Sequence, residues 1–213
     1  MAKICFFDLD HTLVRVNITQ KFLLSYFLDK PLKFSFKFFS NFPLFLKYKT
    51  NPQSLELAHL LIFAFIKDEY EDILQFSKNF GLKLFKKDLF LPVYEELRRA
   101  YHLGQKVVIV SAAPDFIVQS IAHSLGGIEA YGTTYEKDVD NRIKIKTILT
   151  GEQKANIARQ VMAICETDEK NCIAYSDSYQ DIELLAMAGE AIVVNPDQKL
   201  LKVAKEKNWR VIR

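Results

Sequence analysis

Short apolar runs rich in β-branched residues mark the two ends of the chain: Ile4–Phe7, Val107–Val110, Cys172–Tyr175 and Ala191–Val194. Runs of this length without polar alternation suit strands covered on both faces. Trp209–Ile212 reads as a further, edge strand. Between these runs apolar residues recur at helical spacing: Ile117, Ile121 and Leu125; Ile157, Val161 and Cys165; Ile182, Leu185 and Met187; Leu200, Val203 and Ala204. Each set forms the buried stripe of an amphipathic helix. Alternating strands and helices imply parallel pairing through right-handed crossovers, so the predicted fold is α/β, a doubly wound parallel sheet.

The middle of the chain follows another pattern. Fourteen of the 17 phenylalanines lie between Phe22 and Phe90, strand signals are few, and Leu57, Leu60, Leu61 and Ala64 repeat with a helical period. This shift in composition predicts a core made of residues 1–14 and 101–213, with a helical cap, 15–100, inserted after the first strand. Within the cap, Phe34, Phe38, Phe42 and Phe45 are spaced four, four and three apart, as in a buried helical stripe. The same segment, Lys30 to Lys49, has five lysines and no acidic residue. Phe36 and Phe39 lie off the stripe, and Lys33 and Lys37 form a basic row. An exposed apolar face rimmed by cations, suited to peripheral contact with a membrane surface, is the alternative expectation.

Composition narrows the class. With 213 residues and 49% hydrophobic content, the chain supplies a core and is not intrinsically disordered. A net charge of +3 is too mild to imply a nucleic-acid partner. Cys5, Cys165 and Cys172 are an odd set without CxxC spacing, which favours neither a disulfide framework nor a zinc site and fits a reducing cytoplasm. The acidic residue at position 8 cuts short any signal-peptide apolar region, and the uncharged runs before Lys47 and Lys67 are nine and ten residues, too short to span a bilayer. His11, His59, His102 and His123 are scattered, as surface or hydrogen-bonded core histidines are.

Polar chemistry gathers where the predicted strands end. The first strand runs into Asp8-Leu9-Asp10-His11-Thr12, the second into Ser111-Ala112-Ala113, and a third into Ser176-Asp177-Ser178-Tyr179-Gln180-Asp181. In an open parallel sheet the carboxyl ends of the strands line one crevice, where ligands bind. Asp8 and Asp10 can reach one site there, and Asp177 adds charge from a neighbouring strand, so a cation is needed. Hard oxygen ligands without His or Cys favour Mg²⁺. Once metal and lysine offset its charge, one carboxylate can attack phosphorus while the other serves as general acid and then base. Taken singly, each motif also has a structural explanation: a turn at Asp8–Asp10, a helix cap at Ser111, a solvated first-turn lysine at Lys154, and helix N-terminal carboxylates at Asp177 and Asp181.

Taken in order, Asp-x-Asp-x-Thr, Ser, Lys and Asp-x-x-x-Asp resemble the four motifs of the haloacid dehalogenase superfamily over residues 4 to 194. The resemblance implies Asp8 as nucleophile and Asp10 as general acid/base. It implies Ser111 and the Ala112 amide as phosphate ligands, and Lys154 as the cation beside nucleophile and phosphate. Asp8, the Asp10 carbonyl and Asp177 would hold Mg²⁺, with Asp181 supporting through water or Lys154. An acid two residues after the nucleophile is typical of the superfamily's phosphatases, so hydrolysis of a small phosphomonoester through an aspartyl phosphate is expected.

The cap position, Tyr175-Ser176-Asp177 and Asn195-Pro196-Asp197 resemble subfamily IB, which includes phosphoserine phosphatase. That enzyme places a substrate-reading Glu nine residues after the nucleophile, where this chain has Asn17, and usually has a Gly-Asp-Gly-x-Asn-Asp motif in place of Ser176–Asp181. Phosphoserine is therefore the second substrate expectation, beside a phosphatidylglycerophosphate-type lipid monoester. A non-catalytic ligand-binding module on the same fold is the alternative of another class. Transfer of the phosphoryl group to an alcohol would use the same intermediate.

Overall fold

The computed structural model describes residues 3–28, 30–51, 54–67, 70–139 and 143–213, without the side chains of 83–86. Among them seven strands, β1 (Ile4–Phe7), β2 (Lys106–Pro114), β3 (Glu129–Lys137), β4 (Ile143–Thr147), β5 (Cys172–Ser176), β6 (Glu190–Val194) and β7 (Arg210–Ile212), form one sheet in the order β4-β3-β2-β1-β5-β6-β7. All pairs are parallel except β3 with β4. Alternation along β1 explains the need for cover on both faces. Ile4 and Phe6 enter one apolar cluster, Cys5 and Phe7 the other, and all four are buried.

Helices occupy both faces. α1 (Ile18–Phe27), α2 (Pro31–Ser40), α3 (Phe42–Thr50), α4 (Leu55–Ile66), α5 (Tyr70–Ser77) and α6 (Phe80–Asp88) lie between β1 and α7 (Leu91–His102) in the chain. α7 and α8 (Asp115–Ser124) cover the Cys5/Phe7 face through Val93, Leu97, Ile117 and Ile121. α9 (Gly151–Ile164), α10 (Ile182–Met187) and α11 (Gln198–Glu206) cover the Ile4/Phe6 face through Ala158, Val161, Leu185 and Leu200. Gly104, in the left-handed region at φ 68°, ends α7 and turns the chain into β2.

The chain enters and leaves the α1–α6 segment through two paired stretches. The Arg15 amide donates to the Asp88 carbonyl (2.8 Å) and the Phe90 amide to the Leu13 carbonyl (2.9 Å). Apolar packing continues from this segment onto α8: the Phe22 ring lies 5.0 Å from Phe80 and 5.7 Å from Phe116, centroid to centroid.

The structure departs from the pattern in three places. β3 and β4 have no signal in the apolar pattern, because Thr133 and Gly132 take inward positions on β3 that apolar residues would have advertised. The Phe34–Phe45 stripe is not one helix. It breaks at Asn41, since Pro43 cannot continue the hydrogen-bond ladder of α2, and α3 starts there with proline in its first turn. Lys37 is not part of an exposed basic row: it is buried and donates from Nζ to the Phe65 carbonyl (2.8 Å).

Phe22 joins α1 to α6 and α8 with no exposed surface. Phe22→Ala is expected to lower unfolding free energy by about 3–5 kcal/mol, as read from the urea midpoint at unchanged denaturant slope.

Candidate active site

The carboxyl ends of β1, β2 and β5 are adjacent, with β1 between the other two. After β1 the chain builds the sheet toward β3 on one side and later toward β7 on the other, so the crevice at β1 is the topological switch point. Asp8 sits at that point, its amide donating to the Tyr175 carbonyl of β5 (3.0 Å). The next residues wind tightly. The amides of Thr12, Leu13 and Val14 all donate to the Leu9 carbonyl, at 3.2, 3.0 and 3.0 Å, and His11 takes a left-handed conformation at φ 56°. The Asp10 carboxylate accepts from the Ile18 amide (2.7 Å), the first residue of α1, which ties it to the helix start.

Lys154 crosses from α9 into this crevice. Its Nζ donates to Asp8 Oδ1 and to Asp181 Oδ2, both at 2.8 Å, and the side chain is 4% exposed. Gly151 permits this approach. A Cβ there would stand 1.9 Å from the Gln180 carbonyl, so only glycine lets the start of α9 lie against the loop that follows β5. Asp181 also accepts from Ser176 Oγ (2.7 Å), and Asp177 accepts from Thr12 Oγ1 (3.2 Å). Ser111 is buried at the end of β2, its Oγ accepting from the Ala113 amide (3.2 Å), so it does not cap α8, whose N-cap position is Pro114. Asp8, Asp10, Ser111, Ala112, Lys154, Asp177 and Asp181 thus line one cleft of about 200 Å³.

The electrostatics are unbalanced. Burial alone would drive Lys154 toward its neutral form, but Asp181 and Asp8 override it and hold its pKa above the ordinary lysine value. Burial raises Asp8 to about 6, with Lys154 offsetting part of the shift and Asp181 adding to it. Burial raises Asp177 to about 8, helped by Asp8 and Asp181, and raises Asp10 to about 7 against the Ile18 hydrogen bond. One lysine cannot neutralise this many carboxylates, so the donor chemistry fits a hard divalent cation. Among the described residues no three His, Cys, Asp or Glu side chains already form a metal cluster. A set of two carboxylates, Asp8 and Asp177, with a backbone carbonyl from Asp10 suits Mg²⁺, which retains waters and takes substrate oxygens.

Some site residues escaped the sequence reading. Thr12 and Ser176 orient Asp177 and Asp181, a task that their places in Asp-x-Asp-x-Thr and Tyr175-Ser176-Asp177 did not spell out. Thr133 donates to the Ala112 carbonyl (2.7 Å) and accepts from the Leu149 amide (3.0 Å). No signal for it existed without β3. His59 is buried and hydrogen-bonded, whereas His11, His102 and His123 are exposed.

Fold and crevice together define a parallel α/β core with acidic loops and one buried lysine gathered at its topological switch point. This chain belongs to the haloacid dehalogenase-like hydrolases, whose family profile matches residues 5–186. It is 36% identical over 111 residues to a phosphoserine phosphatase of Mycobacterium tuberculosis, a match covering 51% of this chain and 36% of that protein. The chain thus aligns with little more than a third of that relative's length. A protein of unknown function from Bordetella pertussis Tohama I shares the fold with a TM-score of 0.78 at 21% identity, covering 100% of this chain and 99% of that one. A substrate-bound phosphoserine phosphatase shares it at 0.66 and 16% identity, covering 100% and 93%.

Lys154→Met is expected to cost about 3–5 kcal/mol of stability at pH 8 in the presence of a chelator, because two buried carboxylates lose their counter-charge. Protonation relieves that loss. Asp8 has a folded pKa above its unfolded one, so in either protein it favours the folded state at low pH and opposes it as pH rises through about 6. Without the lysine this opposition is larger. The gap between wild type and variant, from urea melts, should therefore widen between pH 5 and pH 8.

Proposed function

We propose that the chain is a Mg²⁺-dependent phosphomonoesterase of the subfamily IB type, working through an aspartyl phosphate. The observation that carries this reading is the placement of Asp8 and Asp10 on one tight loop, with Lys154 donating to Asp8 at 2.8 Å. Asp8 attacks phosphorus as the ester P–O bond breaks, and Asp10 delivers its proton to the leaving oxygen. Asp10 then takes a proton from water, which attacks the same phosphorus and breaks the bond to Asp8, releasing phosphate. A carboxyl raised to about 7 by burial suits that double role. Ser111 Oγ and the Ala112 amide bind phosphate oxygens, while Lys154 offsets the charge of nucleophile and phosphate. Mg²⁺, held by Asp8, the Asp10 carbonyl and Asp177, would supply Lewis-acid neutralisation of the phosphoryl oxygens. Asp181, bound to Lys154 and Ser176, supports from behind. Residues 15–100 act as the cap, and its Asn17 and Leu55 reach the same cleft.

A second reading concerns partners. Leu28, Leu32, Phe36 and Phe39 are exposed at the end of α1 and along α2, Leu32 at 85% and Phe36 at 76%, in a segment whose exposed lysines include Lys33, Lys47 and Lys49. We propose peripheral contact of this face with anionic membranes. No helix of the described residues is long and apolar enough to cross one. The protein should cosediment with anionic vesicles at low salt, and Phe36→Ser with Lys33→Glu should release it. Recovery of wild type in the supernatant at both low and high salt would refute the contact.

Asp8→Asn should abolish turnover, leaving no more than about one part in 10⁴, with a melting temperature in chelator at pH 8 at least as high as that of wild type, because a buried charge is removed. Asp10→Asn should slow alkyl phosphates far more than aryl phosphates, because a stable leaving anion needs little protonation. Equal losses on the two series would contradict the acid assignment, and retained activity in Asp8→Asn the whole mechanism.

A further inference from the structure

Asp10, Asn17, Leu55 and Ala112 line the carboxylate cleft and also a second cleft, of about 170 Å³, between α1 and α4. Its walls include Leu23, Ala58, Leu61, Ile62 and Phe65. Among the described residues that line it, Asp10 carries the one carboxylate and no lysine or arginine is present.

Thr19, Gln20 and Tyr48 also line the cleft, and Asn17 and His59 are engaged by the protein. Asn17 accepts the Gln20 amide through Oδ1 (2.9 Å) and caps α1. His59 lines the cleft with both ring nitrogens engaged, Nδ1 with Tyr135 Oη (2.9 Å) and Nε2 with Thr133 Oγ1 (3.2 Å). Thr133 spends its hydroxyl proton on the Ala112 carbonyl (2.7 Å), so it accepts from Nε2–H, and Nδ1 accepts from Tyr135. Burial lowers the His59 pKa to about 4, which keeps the ring neutral near pH 7.

We propose that this second cleft takes the leaving alcohol of the substrate, and that the alcohol is uncharged and mainly apolar, of about the size of one ring. The inference rests on the phosphatase reading of Asp8 and Asp10. Position supports it, since Asp10, which would protonate the leaving oxygen, stands where the two clefts meet. Size supports it too: an apolar cavity of about 150 Å³ accommodates benzene. An amino-acid alcohol would bring a carboxylate against walls that hold no lysine or arginine, so that group would lose hydration without a counter-charge. The cleft therefore selects against O-phosphoserine.

The test uses the full chain with Mg²⁺ and compares acetyl phosphate, n-alkyl phosphates from methyl to hexyl, benzyl phosphate and O-phosphoserine. The last three are all esters of aliphatic alcohols, which limits differences in leaving-group acidity. kcat/KM is expected to climb about fourfold per buried methylene until the cleft is full, and benzyl phosphate should exceed O-phosphoserine by about 100-fold or more. Ala58→Phe should cut the benzyl-to-acetyl ratio of kcat/KM by about tenfold or more, by filling the space. A readout free of catalysis is toluene, which should shift the methyl resonances of Leu61 and Ile62 in wild type and not in Ala58→Phe. A soluble dihexanoyl phosphatidate ahead of benzyl phosphate would identify a lipid as the source of the apolar alcohol, and the reverse order a small soluble ester; either keeps the class. Turnover of acetyl phosphate without gain along the alkyl series, O-phosphoserine ahead of benzyl phosphate, or a toluene spectrum without shifts overturns the inference while the phosphatase reading stands. Absence of turnover of every one of these phosphates overturns that reading and this inference with it.

Discussion

A single buried ammonium holds the two halves of the crevice together. Lys154 Nζ lies 2.8 Å from Asp8 on the β1 side and 2.8 Å from Asp181 on the β5 side, and it comes from a helix on one face of the sheet. In a site this dry, charges cannot be left to solvent, so the positions of β1, β5 and α9 become interdependent. Gly151 admits the helix to that position, and Ser176 completes the shell of Asp181. Burial raises Asp177 and Asp8, and with one lysine among these carboxylates the crevice is receptive to a divalent cation.

The inserted helices take part in this arrangement. Asp10 is bound to the first amide of α1, so the loop carrying both catalytic candidates is fastened to the segment that lines the neighbouring apolar cleft. Thr133 performs a matching task on the other wall, joining Ala112, Leu149 and His59. Residues remote in sequence thereby fix how the carboxylate crevice and the apolar cleft meet. The walls of that cleft beside Asp10 hold no lysine or arginine among the described residues.

Legibility of the chain followed the strength of each local pattern. β1, β5 and β6 stand out because both faces are covered and nearly every position is apolar. β3 was invisible because its inward positions include Gly132 and Thr133, chosen for close approach to Ala113 and Asp115 and for hydrogen bonding. The phenylalanine spacing across Asn41 imitated one helix, although Pro43 signalled the break. Asp8, Asp10, Ser111, Lys154, Asp177 and Asp181 were each legible as residue types at strand or helix ends, and their order was informative. Their distances were not.

What the sequence by itself determined is the strand–helix alternation, the parallel sheet that follows from it, and the kinds of chemical group at the strand ends, since hydrophobic period and side-chain type are local properties. Only the tertiary structure decided that Lys154 is shared between Asp8 and Asp181, that Lys37 turns inward to Phe65, and that an uncharged cleft opens beside Asp10. The physical reason is that burial, charge balance and cavity shape depend on which surfaces meet across the fold, and Thr12 and Asp177, 165 positions apart, meet in this crevice.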